Sequence, residues 1–266
     1  MSTPTSPGPL VGRGFTADVY AWGDGRVLKL FHPGAPDRPE REYRVTRAVH
    51  AAGLPAPAVY ELVEVDGRAG IVFERVDGPS LFEYVQARPW KLWWSVRLLA
   101  ELHAQIHRRV CPPELPTQRD WLAGGIDASP DLSEVDRDAA RRQLAALPDG
   151  TAVCHGDFHP ANVLLTARGP VVIDWGAATR GHPLGDVACT LRLIRTASLP
   201  PWSPRPVHLL LACTRPLLHR GYLTHYLRRH AGTRREIEAW RVPVAAGRAA
   251  FGRNPPPNPV PGERPA

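Results

Sequence analysis

The chain has 266 residues, and its hydrophobic fraction of 43% is sufficient for one large domain or two small ones. Its longest apolar stretch near the C-terminus, residues 209–213, is far below the roughly 20 residues of a membrane span, so we expect no membrane partner. The first twelve residues have neither a basic start nor an apolar run, so we expect no signal peptide. Four scattered cysteines without a C-x-x-C pair are typical of reduced thiols in a cytoplasmic protein.

The net charge of +7 is unevenly distributed along the sequence. Residues 176–266 contain 14 arginines and 4 acidic residues, and the rest of the chain therefore has a small negative balance. Only Lys29 and Lys91 are lysines. This bias is more typical of genomic composition than of nucleic-acid binding, so we expect no nucleic-acid partner.

The N-terminal part of the chain has the pattern of a small sheet. Residues 1–9 are rich in Ser, Thr, Pro and Gly and are predicted to be disordered. Alternating residues predict one strand over 10–22, a tight turn at Gly23-Asp24-Gly25 and a second strand over 26–31. In that second strand Lys29 shares a face with apolar residues, and a lysine there requires an anionic partner unless the strand lies at an exposed edge.

The next segments predict a helix over 38–52, ended by Gly53, and a hairpin formed by residues 59–65 and 69–76. Apolar residues at steps of three and four between Leu92 and Ile106 predict a long helix. His103 and His107 lie beside its apolar stripe. Because no H-E-x-x-H motif is present, we interpret them as packing or surface residues rather than as metal ligands.

Residues 154–176 carry the most informative pattern in the chain. Two apolar runs, 163–165 and 171–173, enclose a five-residue segment with Gly and Pro, which predicts a β-hairpin with a five-residue loop. If Leu165 lies opposite Val171, then Asn162 lies opposite Asp174, and their Cα atoms are roughly 4.5–5.5 Å apart.

Asp157 lies five residues before Asn162, on a loop that contains a proline. An amide oxygen and a carboxylate that converge beside it are hard ligands that suit Mg²⁺, especially when phosphate oxygens complete the coordination shell. The alternative is a polar hairpin with Asp and Asn at its ends by chance.

The spacing of these residues resembles the H-R-D-x-x-x-x-N and D-F-G motifs of protein kinases. His155-Gly156-Asp157 takes the first position, and Asp174-Trp175-Gly176 takes the second. Gly156 in place of Arg, within His-Gly-Asp-Phe-His-Pro-Ala-Asn, looks like the aminoglycoside phosphotransferase and choline kinase-like family. The segment 174–186 is also too short for the long activation loop of a protein kinase.

The resemblance implies an α+β fold with the two lobes of a protein kinase. A small lobe of antiparallel strands plus one helix would span residues 10–76, and a larger, mainly helical lobe would span residues 77–250. Residues 251–266 include six prolines and are predicted to be a flexible tail. The implied reaction is transfer of the γ-phosphate of ATP or GTP to a hydroxyl of a small molecule.

By the same resemblance, Asp157 would be the catalytic residue that orients the acceptor and accepts its proton. Asn162 and Asp174 would hold Mg²⁺. Lys29 would hold the phosphates of the nucleotide. Its orienting partner would be Glu42, since Glu42 precedes the apolar face of the helix, although Glu40 also lies near the helix start.

Other positions are implied to bind the nucleotide through their backbone. Gly12 and Gly14 would allow the first hairpin to lie over the phosphates. Main-chain groups of Glu74 and Val76 would form hydrogen bonds with the purine.

Two residues of the second lobe are implied to support the catalytic loop. Asp186 would bond to the loop backbone or cap the helix that follows it. His159 would either lie near the transferred phosphate or brace the loop. Residues 186–250 are predicted to be helical, with breaks at 200–206 and at Pro216.

The acceptor is open at this point. Aminoglycosides are polycations that need an acidic pocket, whereas the helices that would build the pocket carry the arginine excess. A small alcohol, an amino alcohol, a sugar or a nucleoside is an equal candidate. The competing function is that of a non-catalytic nucleotide-binding protein on the same fold, and the presence of all the key polar residues argues against it.

Overall fold

The computed structural model describes residues 6–14, 16–34, 37–196 and 205–249. The N-terminal region is an antiparallel sheet with one long helix. Its elements are β1 (Leu10–Arg13), β2 (Ala17–Ala21), β3 (Arg26–Phe31), α1 (Asp37–Ala51), β4 (Val59–Val65) and β5 (Arg68–Glu74). The strand order β1-β2-β3-β5-β4 places β3 at the centre of the sheet, so Lys29 is not on an edge strand.

The prediction of one strand over residues 10–22 is wrong. The chain reverses between β1 and β2, where the amide of Gly14 donates to the carbonyl of Ala17 at 3.0 Å. The two strands pair antiparallel, so alternation continues through the turn and hides it in the sequence. Ordered pairing also begins before residue 10, because Gly8 and Pro9 exchange backbone hydrogen bonds with Ala21. Residues 1–5 lie outside the described part of the chain.

The remainder is mainly helical, and the expected α+β fold is confirmed. Its helices are α2 (Leu81–Ala87), α3 (Leu92–His107), α4 (Gln118–Ala128), α5 (Glu134–Ala146), α6 (Pro183–Thr196), α7 (Arg205–Leu227), α8 (Arg234–Ala239) and α9 (Arg241–Ala249). Two short antiparallel pairs lie between α5 and α6: β6 (Ala152–Cys154) with β9 (Thr179–Gly181), and β7 (Val163–Thr166) with β8 (Gly169–Val172).

Pro216 does not break a helix, contrary to the sequence prediction, but lies inside α7. The helix packs against α3 and buries Tyr222, Leu223 and Tyr226. This packing outweighs the local cost of the proline, which removes one backbone hydrogen bond. The predicted break at 200–206 falls mostly on residues that the structure does not describe, as does the predicted tail 251–266.

A continuous apolar core fills the helical region and reaches the segment 154–176. Phe158 and Trp175 are both fully buried in it, directly beside the residues that the sequence singles out. Within the described ranges, no helix has both the length and the apolar character needed to cross a bilayer.

Candidate active site

Lys29 is held between two carboxylates that come from different parts of the chain. Its Nζ lies 2.7 and 2.9 Å from the two carboxylate oxygens of Glu42 and 3.1 Å from Oδ1 of Asp174. Burial favours loss of the proton, but the charges of Asp174 and Glu42 outweigh it and raise the pKa of Lys29. Glu42 is buried on α1, whereas Glu40 is exposed, so the structure selects Glu42 as the contact.

The position of Glu42 depends on its neighbour Arg41. The guanidinium of Arg41 donates to the carbonyl of Gly176 at 2.8 Å and to that of Ala178 at 3.4 Å. A Cβ atom at Gly176 would lie 3.1 Å from Oε2 of Glu42, so a residue without a side chain fits this close approach. Helix α1 is therefore fixed to the segment that follows Asp174.

The hairpin between Asn162 and Asp174 exists, but its predicted register and loop length are wrong. Leu165 pairs with Pro170 rather than Val171, and the turn is only two residues long. Asn162 consequently faces Ile173, whose amide donates to the Asn162 carbonyl at 3.0 Å. Each strand presents three consecutive apolar residues, so no alternation fixes the register in the sequence.

Asn162 and Asp174 also differ from the predicted strand ends in conformation. Asn162 ends a single turn of 3-10 helix, Pro160–Asn162, and Asp174 has a left-handed backbone with φ of 63°. The side-chain nitrogen Nδ2 of Asn162 donates to the backbone carbonyl of Asp157 at 2.9 Å and lies 3.3 Å from Asp157 Oδ2. This arrangement leaves the amide oxygen of Asn162 as the atom that can act as a ligand.

Asp157 has a contact that no sequence motif indicates. Nη2 of Arg248, on α9, donates to Oδ1 of Asp157 at 2.7 Å, and Nη1 donates to the carbonyl of Gly156. Burial alone would raise the pKa of Asp157, but the nearby His159 and the charge of Arg248 hold it well below its usual range. Because 91 residues separate Arg248 from Asp157, spacing cannot reveal the pair.

His159 caps the short turn between Asp157 and Asn162. Its Nδ1 accepts a hydrogen bond from the amide of Ala161 at 3.2 Å, which caps the short 3-10 turn. Its Nε2 lies 3.7 Å from Oδ2 of Asp157. Of the two roles that the sequence leaves open, the described contacts are those of the brace.

Asp186 holds the backbone of the loop that carries Asp157. Its two carboxylate oxygens accept the amides of His155 at 2.6 Å and Gly156 at 2.9 Å. The carboxylate is completely buried, and its pKa stays well below the usual value because His103 and His107 offset the cost of burial. Asp186 therefore makes the backbone contact that the resemblance implies.

His103 and His107 both contact the carboxylate of Asp186. Their Nε2 atoms lie 2.9 and 3.2 Å from Oδ2 of Asp186. Their Nδ1 atoms lie 2.6 Å from the hydroxyls of Tyr222 and Tyr226. Each ring therefore donates from Nε2 to the carboxylate and accepts at Nδ1 from a tyrosine, which agrees with the packing interpretation.

Position 156, where the protein-kinase motif has arginine, accepts only glycine in this loop for steric reasons. Its φ is +76°, and a Cβ atom would lie 2.4 Å from the carbonyl oxygen of Ala177. Any L-amino acid there would meet both a strained backbone and a rigid obstacle.

Glu74 lies at the junction between the sheet and the helical region. Its amide donates to the carbonyl of Ala58 at 2.9 Å. Its carboxylate accepts from the Ala58 amide at 3.1 Å and pairs with Arg168 at 2.6 Å. Val76 lies two residues after the end of β5.

The two glycines of the first hairpin differ in their surroundings. Gly12 lies in β1, where the pairing with Val19 follows an irregularity in the register. Gly14 makes the turn itself, and a Cβ atom there would lie 2.9 Å from the carbonyl oxygen of Ala17. In the sheet, β2 separates the strand of Gly12 from the strand of Lys29, and Gly14 lies in the turn that connects β1 to β2.

Comparison with known proteins identifies the family of the chain. Residues 9–240 match the phosphotransferase enzyme family, APH, which covers most of the chain. The chain belongs to this family. The expected resemblance is thereby confirmed.

Two curated relatives match parts of this family member. Acyl-CoA dehydrogenase family member 11 of Gallus gallus is 30% identical over 172 residues, which are 56% of this chain and 22% of that protein. Aminoglycoside 3'-phosphotransferase of Streptomyces fradiae is 30% identical over 178 residues, which are 59% of this chain and 65% of that protein. The chain thus spans about a fifth of the first relative and just under two thirds of the second.

Solved structures of phosphotransferases share the fold over nearly the whole chain. An aminoglycoside-3'-phosphotransferase of type VIII has a TM-score of 0.62 and 23% identity, covering 92% of this chain and 93% of that one. The amicoumacin kinase hAmiN, in complex with AMP-PNP, Ca²⁺ and Ami, has a TM-score of 0.58 and 13% identity, covering 91% and 78%. At these identities the likeness shows the fold.

Proposed function

We propose that this phosphotransferase moves the γ-phosphate of ATP or GTP to a hydroxyl of a small molecule. One observation carries the proposal: Asp174 contacts Lys29, and Asp157 contacts Asn162, within one framework of β3, α1 and the 154–176 segment. These four side chains are the set that a nucleotide-dependent phosphoryl transfer uses.

Lys29 is the proposed phosphate-binding cation. It lies on the central strand, its pKa is raised, and two buried contacts with Glu42 fix its ammonium group. Because the carboxylates already hold the ammonium group in place, phosphate oxygens can bind to it without any movement of the lysine side chain. The carbonyl of Glu74 and the backbone of Val76 are proposed to bind the purine, and Gly12 and Gly14 to approach the phosphates.

The residues proposed to hold a metal fit Mg²⁺ by their chemistry. Asn162 offers an amide oxygen and Asp174 a carboxylate that is 43% exposed, so both donors are hard oxygen atoms and one is open to solvent. A bound Mg²⁺ would supply neutralisation of the charge on the β- and γ-phosphates. Asp174 is then shared between this site and Lys29 through the 3.1 Å contact.

Asp157 is the proposed catalytic residue. Its carboxylate is ionised, since its pKa is held low, and its side chain is 24% exposed at the end of the braced loop. A carboxylate in this position can accept the hydrogen bond of an acceptor hydroxyl and take its proton as the oxygen–phosphorus bond forms. Because the transition state is largely dissociative, positioning is expected to contribute more than basicity.

The acceptor class is proposed from a pocket that borders the loop at Pro160. The pocket lies between α2, α3 and α7, and Pro160 is three residues after Asp157. Its other lining residues are uncharged: Leu81, Phe82, Val85, Gln86, Leu92, Ser95, Leu210, Thr214 and Leu218. An acceptor with an apolar part suits this pocket better than a polycation does.

The proposal is tested by a nucleotide-consumption screen. Purified protein is incubated with ATP or GTP, with and without Mg²⁺, against amino alcohols, sugars, nucleosides, aminoglycosides and amphiphilic hydroxylated antibiotics. Acceptor-dependent turnover that requires Mg²⁺ supports the proposal. Tight nucleotide binding without turnover across the whole panel favours the non-catalytic function instead.

A further inference from the structure

Arg248 reaches the catalytic loop from the C-terminal helix α9. Its guanidinium makes two contacts, one to the carboxylate of Asp157 at 2.7 Å and one to the carbonyl of Gly156. Its side chain is only 12% exposed, and its Cζ lies 5.8 Å from the centre of the Trp121 ring. A planar guanidinium with several donors can hold two neighbouring acceptors at once, which an ammonium group cannot do in the same geometry.

The two oxygens of the Asp157 carboxylate have different partners. Oδ1 is occupied by Arg248, while Oδ2 lies 3.3 Å from the Asn162 amide nitrogen and 3.7 Å from His159. The terminal torsion of an aspartate is intrinsically broad, so an ungripped carboxylate would sample many orientations. A short hydrogen bond to one oxygen fixes the plane of the group and presents the other oxygen to an acceptor.

The surroundings of the pair favour its persistence. Breaking it would leave a mostly buried guanidinium and a mostly buried carboxylate without their main partners, and unpaired buried charges are strongly unfavourable. Helix α9 also packs against α4 and α6, so Arg248 projects from a fixed support. Asp186 thus holds the backbone amides of the loop, and Arg248 holds the Asp157 side chain.

We propose that Arg248 is a positioning residue for phosphoryl transfer, which orients the Asp157 carboxylate by gripping Oδ1 and the adjacent Gly156 carbonyl. The proposal rests on the proposed function of the site. It assigns to the C-terminal helix a role in the reaction, although that helix contributes no group to the nucleotide site described above.

The kinetic test compares Arg248→Met and Arg248→Lys with the matched control Arg241→Met. Arg241 lies on the same helix, is more than half exposed and pairs with Glu238. We expect Arg248→Met to lose about 10²-fold in kcat, with KM for the nucleotide unchanged within about twofold, since a misplaced catalytic group costs about this much. Arg248→Lys should recover part of the loss, and Arg241→Met should match wild type.

Chemical rescue separates orientation from general damage to the fold. Millimolar guanidinium ion added to Arg248→Ala should raise kcat at least several-fold, while sodium ion at the same ionic strength should not. Wild-type kcat in Arg248→Met, an equal loss in Arg241→Met, or a loss that follows only the fraction of unfolded protein would each overturn the proposal.

A readout without turnover keeps the two proposals distinguishable. In hydrogen-exchange mass spectrometry, Arg248→Met should speed exchange of the peptide that contains the amides of residues 155–158, and Arg241→Met should not. If wild type transfers phosphate but Arg248→Met is unaffected in both experiments, only the role of Arg248 is wrong. If wild type lacks turnover with every acceptor, the proposed function fails. Unchanged hydrogen exchange in Arg248→Met would then show, without any turnover measurement, that Arg248 does not hold the loop.

Discussion

The Nε2 atom of His107 lies 3.2 Å from Oδ2 of Asp186, and both side chains are completely inaccessible to solvent. Burial lowers the pKa of His107 to about 3, with the neighbouring His103 acting in the same direction. In the unfolded chain the same imidazole titrates near its usual 6.5. The unfolded state therefore binds more protons between these two values, and the folded state loses relative stability as the pH falls through this window.

From this difference we predict an acid-sensitive fold. His107 alone should lower the free energy of unfolding by up to about 1.4 kcal/mol per pH unit below pH 6. Urea unfolding at pH 7, 6 and 5 measures the slope, and His107→Gln is the comparison because an amide can still donate to Asp186 and accept from Tyr226. A slope as steep in His107→Gln as in wild type would contradict the assignment.

Asp186→Ala should destabilise the fold before it affects chemistry. The change removes a buried carboxylate that accepts from two loop amides and two histidines, so we expect a loss of about 3–5 kcal/mol. Asp186→Asn keeps one acceptor oxygen and should lose less. Asp127→Ala is the control, since its pair with Arg141 is about half exposed and should contribute less than about 1 kcal/mol. Equal melting temperatures for Asp186→Ala and Asp127→Ala would rule out the supporting role.

Much of the fold was predictable because its signals are local. Alternation and turn residues indicate the strands around Lys29, and steps of three and four indicate α3. The hairpin turn between β1 and β2 was missed because alternation continues across it, and the β7–β8 register because neither strand alternates. In each case the deciding interaction is a backbone contact that side-chain patterns do not record.

The candidate site likewise contains residues that local spacing in the sequence reveals and residues that only tertiary packing brings together. Asp157, Asn162 and Asp174 could be predicted because the chain places them within eighteen residues of one another. The contact from Lys29 to Glu42 was one of two choices, and burial of Glu42 decides between them. Arg248 could not be found, since α9 reaches Asp157 only after the helical region has packed, and one of the fourteen arginines in residues 176–266 carries no distinguishing spacing.

The contact between Lys29 and Glu42 predicts a specific defect in nucleotide binding. Glu42→Gln keeps the shape of the side chain but removes the charge that holds the ammonium group. We expect KM for the nucleotide to rise about tenfold, which corresponds to about 1.4 kcal/mol. Glu40→Gln, on the exposed face of the same helix, should keep the wild-type KM. An equal change in the two variants would show that Glu42 does not orient the lysine.

Gly156→Ala should be harmful, while a glycine substitution elsewhere should be beneficial. The methyl group would lie 2.4 Å from the Ala177 carbonyl oxygen on a backbone with φ of +76°, so the loop must move and turnover should fall by at least about tenfold. Gly124→Ala is the matched control. Gly124 is exposed in α4, with open space around its Cα, and alanine there should stabilise the helix by about 1 kcal/mol. Full activity in Gly156→Ala would argue against a rigid loop.

Asp157→Asn tests the chemistry most directly. Asparagine keeps an oxygen that can accept from Arg248 and a shape that fits the loop, so the protein should still fold and bind the nucleotide, with a moderately lower melting temperature because the buried Arg248 loses its charged partner. The variant lacks the charge that, in our proposal, orients and deprotonates an acceptor hydroxyl, so we expect turnover to fall by roughly 10²–10⁴. Calorimetry with the Mg-nucleotide, together with acceptor-dependent turnover, separates the two effects. If Asp157→Asn melts far below wild type, the residue is mainly structural, and if it keeps the full rate, another group must accept the proton.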